Sequence, residues 1–124
     1  MEKEWKELAL HHALFRLNYF AVEPDSNQSR LNAEEISKIT GISAGEAARF
    51  INALLRGHIG KTVTKHRAEQ IAMAWCLANK KKVARQWGLD PDMERELIMN
   101  IARAMGVEQE TAIAFNDFLG SLLV

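Results

Sequence analysis

The sequence predicts an all-α protein of five to six helices that fold as a single domain over residues 1–124. Alanine and leucine dominate, with 17 Ala and 13 Leu against 5 Val and 4 Thr, and these two residues favour helices over strands. The chain has only 7 Gly and 2 Pro, and no stretch shows the alternation of a half-buried strand. Helix start and stop signals recur in pairs, at Asn32 and Gly41, Ser43 and Gly57, and Asp90 and Gly106.

The N-terminal part predicts one long helix followed by a loop. Over residues 2–22, apolar side chains recur at spacings of three and four along two stripes. A helix with two apolar stripes needs cover on two sides, so we expect it to lie centrally. Pro24 and the turn-forming residues up to Ser29 then predict the most mobile internal loop.

The next stretch predicts two short helices joined by a three-residue turn. Asn32 is expected to cap the first helix, and Gly41 to end it in a left-handed conformation. Ser43 and Glu46 have the spacing of a capping box, which predicts a second helix that runs to Gly57. The sequence therefore predicts a helical corner at residues 32–56.

The rest of the chain predicts three more helices after a short connector. Residues 58–65 are expected to hold at most a short extended piece, within 59–64, before helices at about 66–87, 90–106 and 108–122. Sliding the chain against itself by 65 residues superposes Ile36 on Ile101, Gly41 on Gly106 and other matching positions. This weak repeat predicts a second, similar corner at 97–122.

Residues 31–57 resemble the helix-turn-helix of bacterial transcription regulators, including the winged-helix kind. The features that carry the resemblance, over about a fifth of the chain, are Ile36, Ser37, Gly41, Ile42, Ala47, Phe50 and Leu54. Thr40 departs from the pattern, which usually has an apolar residue there, and residues 58–65 are too short for a full two-stranded wing. The resemblance implies that the second helix, about 43–56, enters the major groove of DNA.

The outward face of that second helix carries the side chains expected to contact DNA. The residues expected there are Ala44, Gly45, Ala48, Arg49, Asn52, Ala53 and Arg56. Arg49, Asn52 and Arg56 recur at spacings of three and four, and arginine and asparagine pair bidentately with guanine and adenine edges. The small residues would let the helix approach a groove closely, and the amides of Ser43, Ala44 and Gly45 are candidates for a phosphate contact.

A basic block lies in the middle of a chain whose formal net charge is zero. Residues 56–85 hold eight basic residues against Glu69 alone, a net charge of +7. Clustered Lys and Arg displace counterions from a polyanion, so the block predicts contacts to the DNA backbone from Lys61, Lys65 and Arg67. The alternative is a solvated basic surface that pairs with the acidic C-terminal third of the chain.

The face of the last helix differs, because it includes the carboxylates of Glu110 and Asp117, which would repel a phosphate backbone. We expect this C-terminal corner to be a packing or homodimer interface anchored by Ile113 and Phe118, and the alternative is that both residues belong to the core. A homodimer is expected because operators usually repeat with the symmetry of the protein.

Two functions follow from the sequence. The first is a DNA-binding transcriptional regulator, and the alternative is a helical protein-interaction module, an adaptor or an inhibitor, that docks an acidic partner through the basic block. RNA is a weaker third partner, since no aromatic stacking platform is visible.

Catalysis, metal binding and membrane insertion are not expected. His11 and His12 diverge on a helix, the single Cys76 lies in an apolar helix section, and no cofactor motif is present, so we predict neither an enzyme nor a metal site. One cysteine, no signal peptide and no membrane-spanning run predict a cytoplasmic protein.

Overall fold

A computed structural model of the chain describes residues 2–87, 96, 99, 100, 102, 103, 106 and 108–121. Within these residues the chain forms five helices: α1 (Glu2–Tyr19), α2 (Asn27–Thr40), α3 (Ala44–Arg56), α4 (Lys65–Trp87) and α5 (Gln109–Ser121). The same residues contain no strand, only a single bridge between Ile59 and Val63 in the connector before α4. The predicted all-α class is confirmed.

One apolar core joins α1, α2, α3 and α4. α1 packs along α4, α2 packs along α3, and α5 contacts both α1 and α4. The largest fully buried side chains are Phe50, Leu17, Ile36, Ile51 and Ile71, and they come from all four of the first helices. α3 is therefore held against the body of the protein by its own apolar face.

The turn between α2 and α3 has the predicted chemistry. Gly41 ends α2 with φ 82°, in the left-handed region that favours glycine, and its amide donates to Ser37 O at 2.9 Å. Thr40, which departs from the helix-turn-helix pattern, accepts a hydrogen bond from the Ile42 amide at 3.2 Å. Its hydroxyl thus ties the turn where an apolar side chain could not.

The start of α2 was predicted wrongly. The helix begins five residues before Asn32, because Ser26 is the N-cap and its hydroxyl accepts from the Ser29 amide at 3.1 Å. Asn32 lies inside the helix, and its side-chain amide donates to Gln28 O at 2.8 Å. The predicted loop is correspondingly shorter, and the two-helix corner starts at Asn27 and not at Asn32.

The first helix also ends earlier than predicted, at Tyr19 and not at residue 22. The Ala21 amide donates to Asn18 O and the Val22 amide to Leu17 O, both at 3.0 Å, which is the Schellman pattern of a helix end. Ala21 occupies its left-handed position with φ 51°, although glycine is the usual residue there.

The predictions for the C-terminal part of the chain fall partly on residues that the structure describes. Most of the helix predicted at 90–106, including its Asp90–Pro91 start, lies outside the described residues. Gly106 has φ 69°, and α5 follows it at 109–121, close to the predicted 108–122. Residues 96, 99, 100, 102 and 103 are also helical, as predicted for 90–106, so the second corner predicted at 97–122 is described only at some of these positions, at Gly106 and in α5.

Candidate nucleic-acid interface

α3 presents a buried face and an exposed face, largely as its apolar pattern predicts. Ala47, Phe50 and Ile51 are fully buried, whereas Ala44, Gly45, Arg49 and Arg56 are exposed. Ala53 was expected outside and is buried, since only 3% of it is exposed, and Ala48, also expected outside, is half-buried and packs against the core. The exposed face is thus narrower than predicted.

The three polar residues of this face are not equally available. Arg49 is exposed, and no hydrogen bond or ion pair of the described residues involves it. Asn52 and Arg56 both contact Asp25, which lies in the connection between α1 and α2. Asp25 N donates to Asn52 Oδ1 and Asn52 Nδ2 donates to Asp25 Oδ1, each at 2.9 Å, and Arg56 pairs with Asp25 Oδ2.

The contact between Asp25 and α3 could not be anticipated from the sequence. Asp25 is separated from Asn52 and Arg56 by 27 and 31 positions, and no spacing rule connects residues so far apart. The Pro24–Asp25 pair indicates a turn, but not the helix against which the turn lies.

The N-terminus of α3 is open on its outer side and anchored on its inner side. Ser43 Oγ accepts from the Glu46 amide at 3.2 Å, which confirms the predicted N-cap. A Cβ added at Gly45 would meet nothing within 4 Å, so a ligand could approach the backbone there. The carboxylate of Glu46 pairs with Arg67 of α4, and this hydrogen bond lowers the pKa of Glu46.

The basic block is partly neutralised by acidic residues from the N-terminal part of the chain. Arg56 pairs with Asp25, Arg67 with Glu46, and Lys65 Nζ lies 3.7 Å from Glu7 Oε1. These pairs are solvent-exposed, so each is worth about 0–1 kcal/mol and can be exchanged for a phosphate contact at small cost. Lys61 is exposed and has no ion-pair partner among the described side chains.

Exposed aromatic residues flank the connection between α1 and α2, and sequence reasoning missed them. Tyr19 is 74% and Phe20 62% exposed, and their rings meet edge to face with centroids 5.1 Å apart. Leu31 near the start of α2 is 49% exposed. The apolar spacing over residues 2–22 predicted cover for Tyr19, but α1 ends at this residue and its side chain is exposed.

Between α1 and α4 lies a polar cluster that faces the core. His12 Nδ1 is 3.6 Å from Cys76 Sγ, and the Arg16 guanidinium lies 5.7 Å from the ring centre of Trp75. Burial lowers the pKa of His12 to about 4, with a smaller contribution from Arg16, and burial raises the pKa of the Cys76 thiol to about 12. Both groups are therefore neutral at pH 7.

The two residues predicted to anchor an interface lie on α5. Phe118 stacks on Trp5 of α1, with ring centroids 4.2 Å apart and an angle of 20° between the planes. Ile113 is half-buried. Phe118 therefore contributes to packing within the chain, and the prediction of a homodimer interface rests on Ile113 and its exposed neighbours.

The described residues contain neither a candidate metal site nor a membrane-spanning helix. Among the described residues, no group of three or more His, Cys, Asp or Glu side chains could hold a metal ion. In that same part of the chain, every helix is too short or too polar to cross a membrane. Comparison with known proteins finds no matching family model, no similar curated protein and no similar solved structure.

Proposed function

We propose that the chain is a cytoplasmic, DNA-binding transcriptional regulator that inserts α3 into the major groove of double-stranded DNA. The observation that carries the proposal is the exposed side of α3, which carries Arg49 together with the small residues Ala44 and Gly45. A helix with small residues and an arginine on its outer side can approach base edges closely, and arginine pairs bidentately with guanine.

Two further features support α3 in this role. Its opposite face is fully buried, which holds the helix rigidly against the rest of the protein. Lys61 follows α3 in the connector and is exposed, at a position suited to a backbone phosphate. Association as a homodimer, through the side of α5 that carries Ile113, would double the contacts and remains part of the proposal.

The proposal is tested by fluorescence anisotropy with a random duplex pool, followed by selection of a preferred duplex. We expect binding at ~50 mM salt that weakens with a log–log slope of about −0.9 per phosphate neutralised. Arg49→Ala should cost about 1–3 kcal/mol on the preferred duplex and relax its sequence preference. Lys61→Ala should weaken binding to all duplexes and flatten the slope by about one unit.

Arg103→Ala is the matched control, because it removes one positive charge from an exposed residue outside α2 and α3. It should lower affinity no more than a general charge effect does, and it should leave the sequence preference unchanged. Equal effects of Arg49→Ala and Arg103→Ala, or no binding by folded protein at micromolar concentration, would contradict the proposal.

The second candidate is a protein-interaction module, and the exposed Tyr19, Phe20 and Leu31 favour it. Exposed aromatic residues are enriched at protein interfaces and are uncommon on monomeric surfaces as a group. This candidate predicts no sequence preference in the duplex experiment. It also predicts that Lys61→Ala weakens binding to an acidic partner, as docking through the basic block requires.

A further inference from the structure

The side chain of Asn52 has both of its hydrogen-bonding edges occupied by one residue. Asp25 supplies a donor, its backbone N–H, to Asn52 Oδ1, and an acceptor, its Oδ1, to Asn52 Nδ2, each at 2.9 Å. The second carboxylate oxygen of Asp25 binds the guanidinium of Arg56, one turn further along α3. We call these three bonds the Asp25 contact.

The Asp25 contact has the same donor and acceptor pattern as a base. An asparagine that reads adenine accepts from the N6 amino group and donates to N7. The backbone N–H of Asp25 stands in for the amino group, and the Asp25 carboxylate stands in for the ring nitrogen. Arg56 donates to the Asp25 carboxylate in the free protein, and on DNA it would donate to a guanine edge or a phosphate instead. While the Asp25 contact is closed, the edge of Asn52 that would pair with adenine is occupied, and one nitrogen of the Arg56 guanidinium is engaged.

The segment that carries Asp25 is short and lies between two anchored residues. Val22 is buried on one side, Ser26 caps α2 on the other, and only residues 23–25 lie between them. Asp25 itself has φ 54°, a left-handed conformation that is uncommon outside glycine. Because the contact is exposed to solvent, each of its bonds contributes little and DNA could displace it.

We infer that Asp25 is an autoinhibitory residue that occupies Asn52 and Arg56 in the free protein and must leave them before α3 can read bases. This inference rests on the proposed function and adds a regulatory step to it. The alternative role, in which Asp25 holds Asn52 and Arg56 in the orientation that DNA needs, predicts the opposite effect of removing the carboxylate.

The test compares Asp25→Gly, Asp25→Asn and the unaltered chain in duplex binding. Glycine and asparagine both tolerate the left-handed backbone, so either variant should keep the loop conformation. Asp25→Gly loses both carboxylate contacts and keeps the backbone N–H contact to Asn52 Oδ1. It should bind the preferred duplex about three- to tenfold more tightly, the size expected for loss of two exposed contacts. Asp25→Asn loses the ion pair to Arg56 and should show a smaller gain of the same sign.

Glu23→Gln is the matched control, because it removes the same charge from an exposed residue of the same connection. Its gain should be smaller than that of Asp25→Asn and equal for all duplexes, whereas the Asp25 variants should gain most on the preferred duplex. Equal gains in Glu23→Gln and Asp25→Asn would overturn the inference, because the effect would then be one of charge alone.

The remaining outcomes separate this inference from the proposed function. If the unaltered chain binds duplex and Asp25→Gly binds equally or more weakly, the autoinhibitory role is overturned and the proposed function stands. If neither chain binds any duplex, both are overturned. If only Asp25→Gly binds, both are supported. In ¹⁵N-labelled protein, the side-chain NH₂ signal of Asn52 should shift on adding the preferred duplex, and an unchanged signal would overturn the inference.

Discussion

The two connections that flank α2 differ in how they are held. The turn of residues 41–43 is stabilised locally, by the left-handed Gly41 and by Ser43, which caps the helix that follows. The connection of residues 20–26 has left-handed residues that are not glycine, Ala21 and Asp25, and Asp25 binds side chains of α3.

The conformation of one connection is thus determined by residues close to it in the sequence, and that of the other by residues far from it in the sequence. At 41–43, each hydrogen bond joins residues within four positions, so backbone preference and capping chemistry determine the conformation. At 20–26, the conformation costs strain at Ala21 and Asp25, and contacts with residues far along the chain offset it. We expect the first connection to resist changes elsewhere and the second to depend on them.

The largest effect should come from the core beneath the turn. Phe50 of α3 is fully buried, so Phe50→Ala should lower the free energy of unfolding by about 3–5 kcal/mol through lost burial and a cavity. The control is Phe20→Ala in the other connection, where the ring is 62% exposed and the loss should stay below about 0.5 kcal/mol. Urea unfolding measures both, and similar losses would contradict the assigned burial.

A smaller loss in the free energy of unfolding should appear on acidification, and it should not depend on either connection. The pKa of His12 is about 4 in the folded protein against 6.5 in the unfolded chain, so folding favours the neutral imidazole. This contribution is complete above pH 6.5 and is lost as the pH falls from 6.5 to 4, amounting to at most about 3 kcal/mol. The measurement is the free energy of unfolding at pH 7 and at pH 4.5.

His12→Gln should flatten this pH dependence, and His11→Gln, which changes the exposed neighbouring histidine, should leave it in place. Substitutions in the turn of residues 41–43 should also leave it unchanged, because the hydrogen bonds of that turn join only residues 36–47. An identical pH dependence in His12→Gln and the unaltered chain would show that His12 titrates normally in the folded state.

The smallest changes in stability should come from glycine and alanine substitutions, and they should have opposite signs in the two connections. Gly41→Ala places a Cβ in open space but at φ 82°, so it should destabilise the protein by about 1 kcal/mol. Ala21→Gly relieves the left-handed strain at φ 51° and should stabilise it by about 0.5–1 kcal/mol. Thermal unfolding of the two variants measures the difference, and a loss of stability in Ala21→Gly would mean that Ala21 is not strained.

Much of the architecture could be predicted because it rests on local signals. Gly41, Ser43 and Gly57 each lie at the helix end that their chemistry predicts, and the apolar face of α3 is buried and also includes Ala53, which was expected outside. The start of α2 was missed because two residues, Ser26 and Asn32, are both suitable caps, and capping preference alone does not choose between them. The sequence predicted the candidate site as a set of residues on one face of α3. It did not predict Asp25, which contacts Asn52 and Arg56 in that set.

Composition, apolar periodicity and capping residues thus specify the all-α class and the turn at 41–43, because each of these signals acts within one or two helical turns. Only the tertiary structure decides that Asp25 lies against Asn52 and Arg56, that acidic residues neutralise part of the basic block, and that Tyr19 and Phe20 remain exposed. These features depend on which helices pack together. Packing brings together residues that no spacing rule links in the sequence.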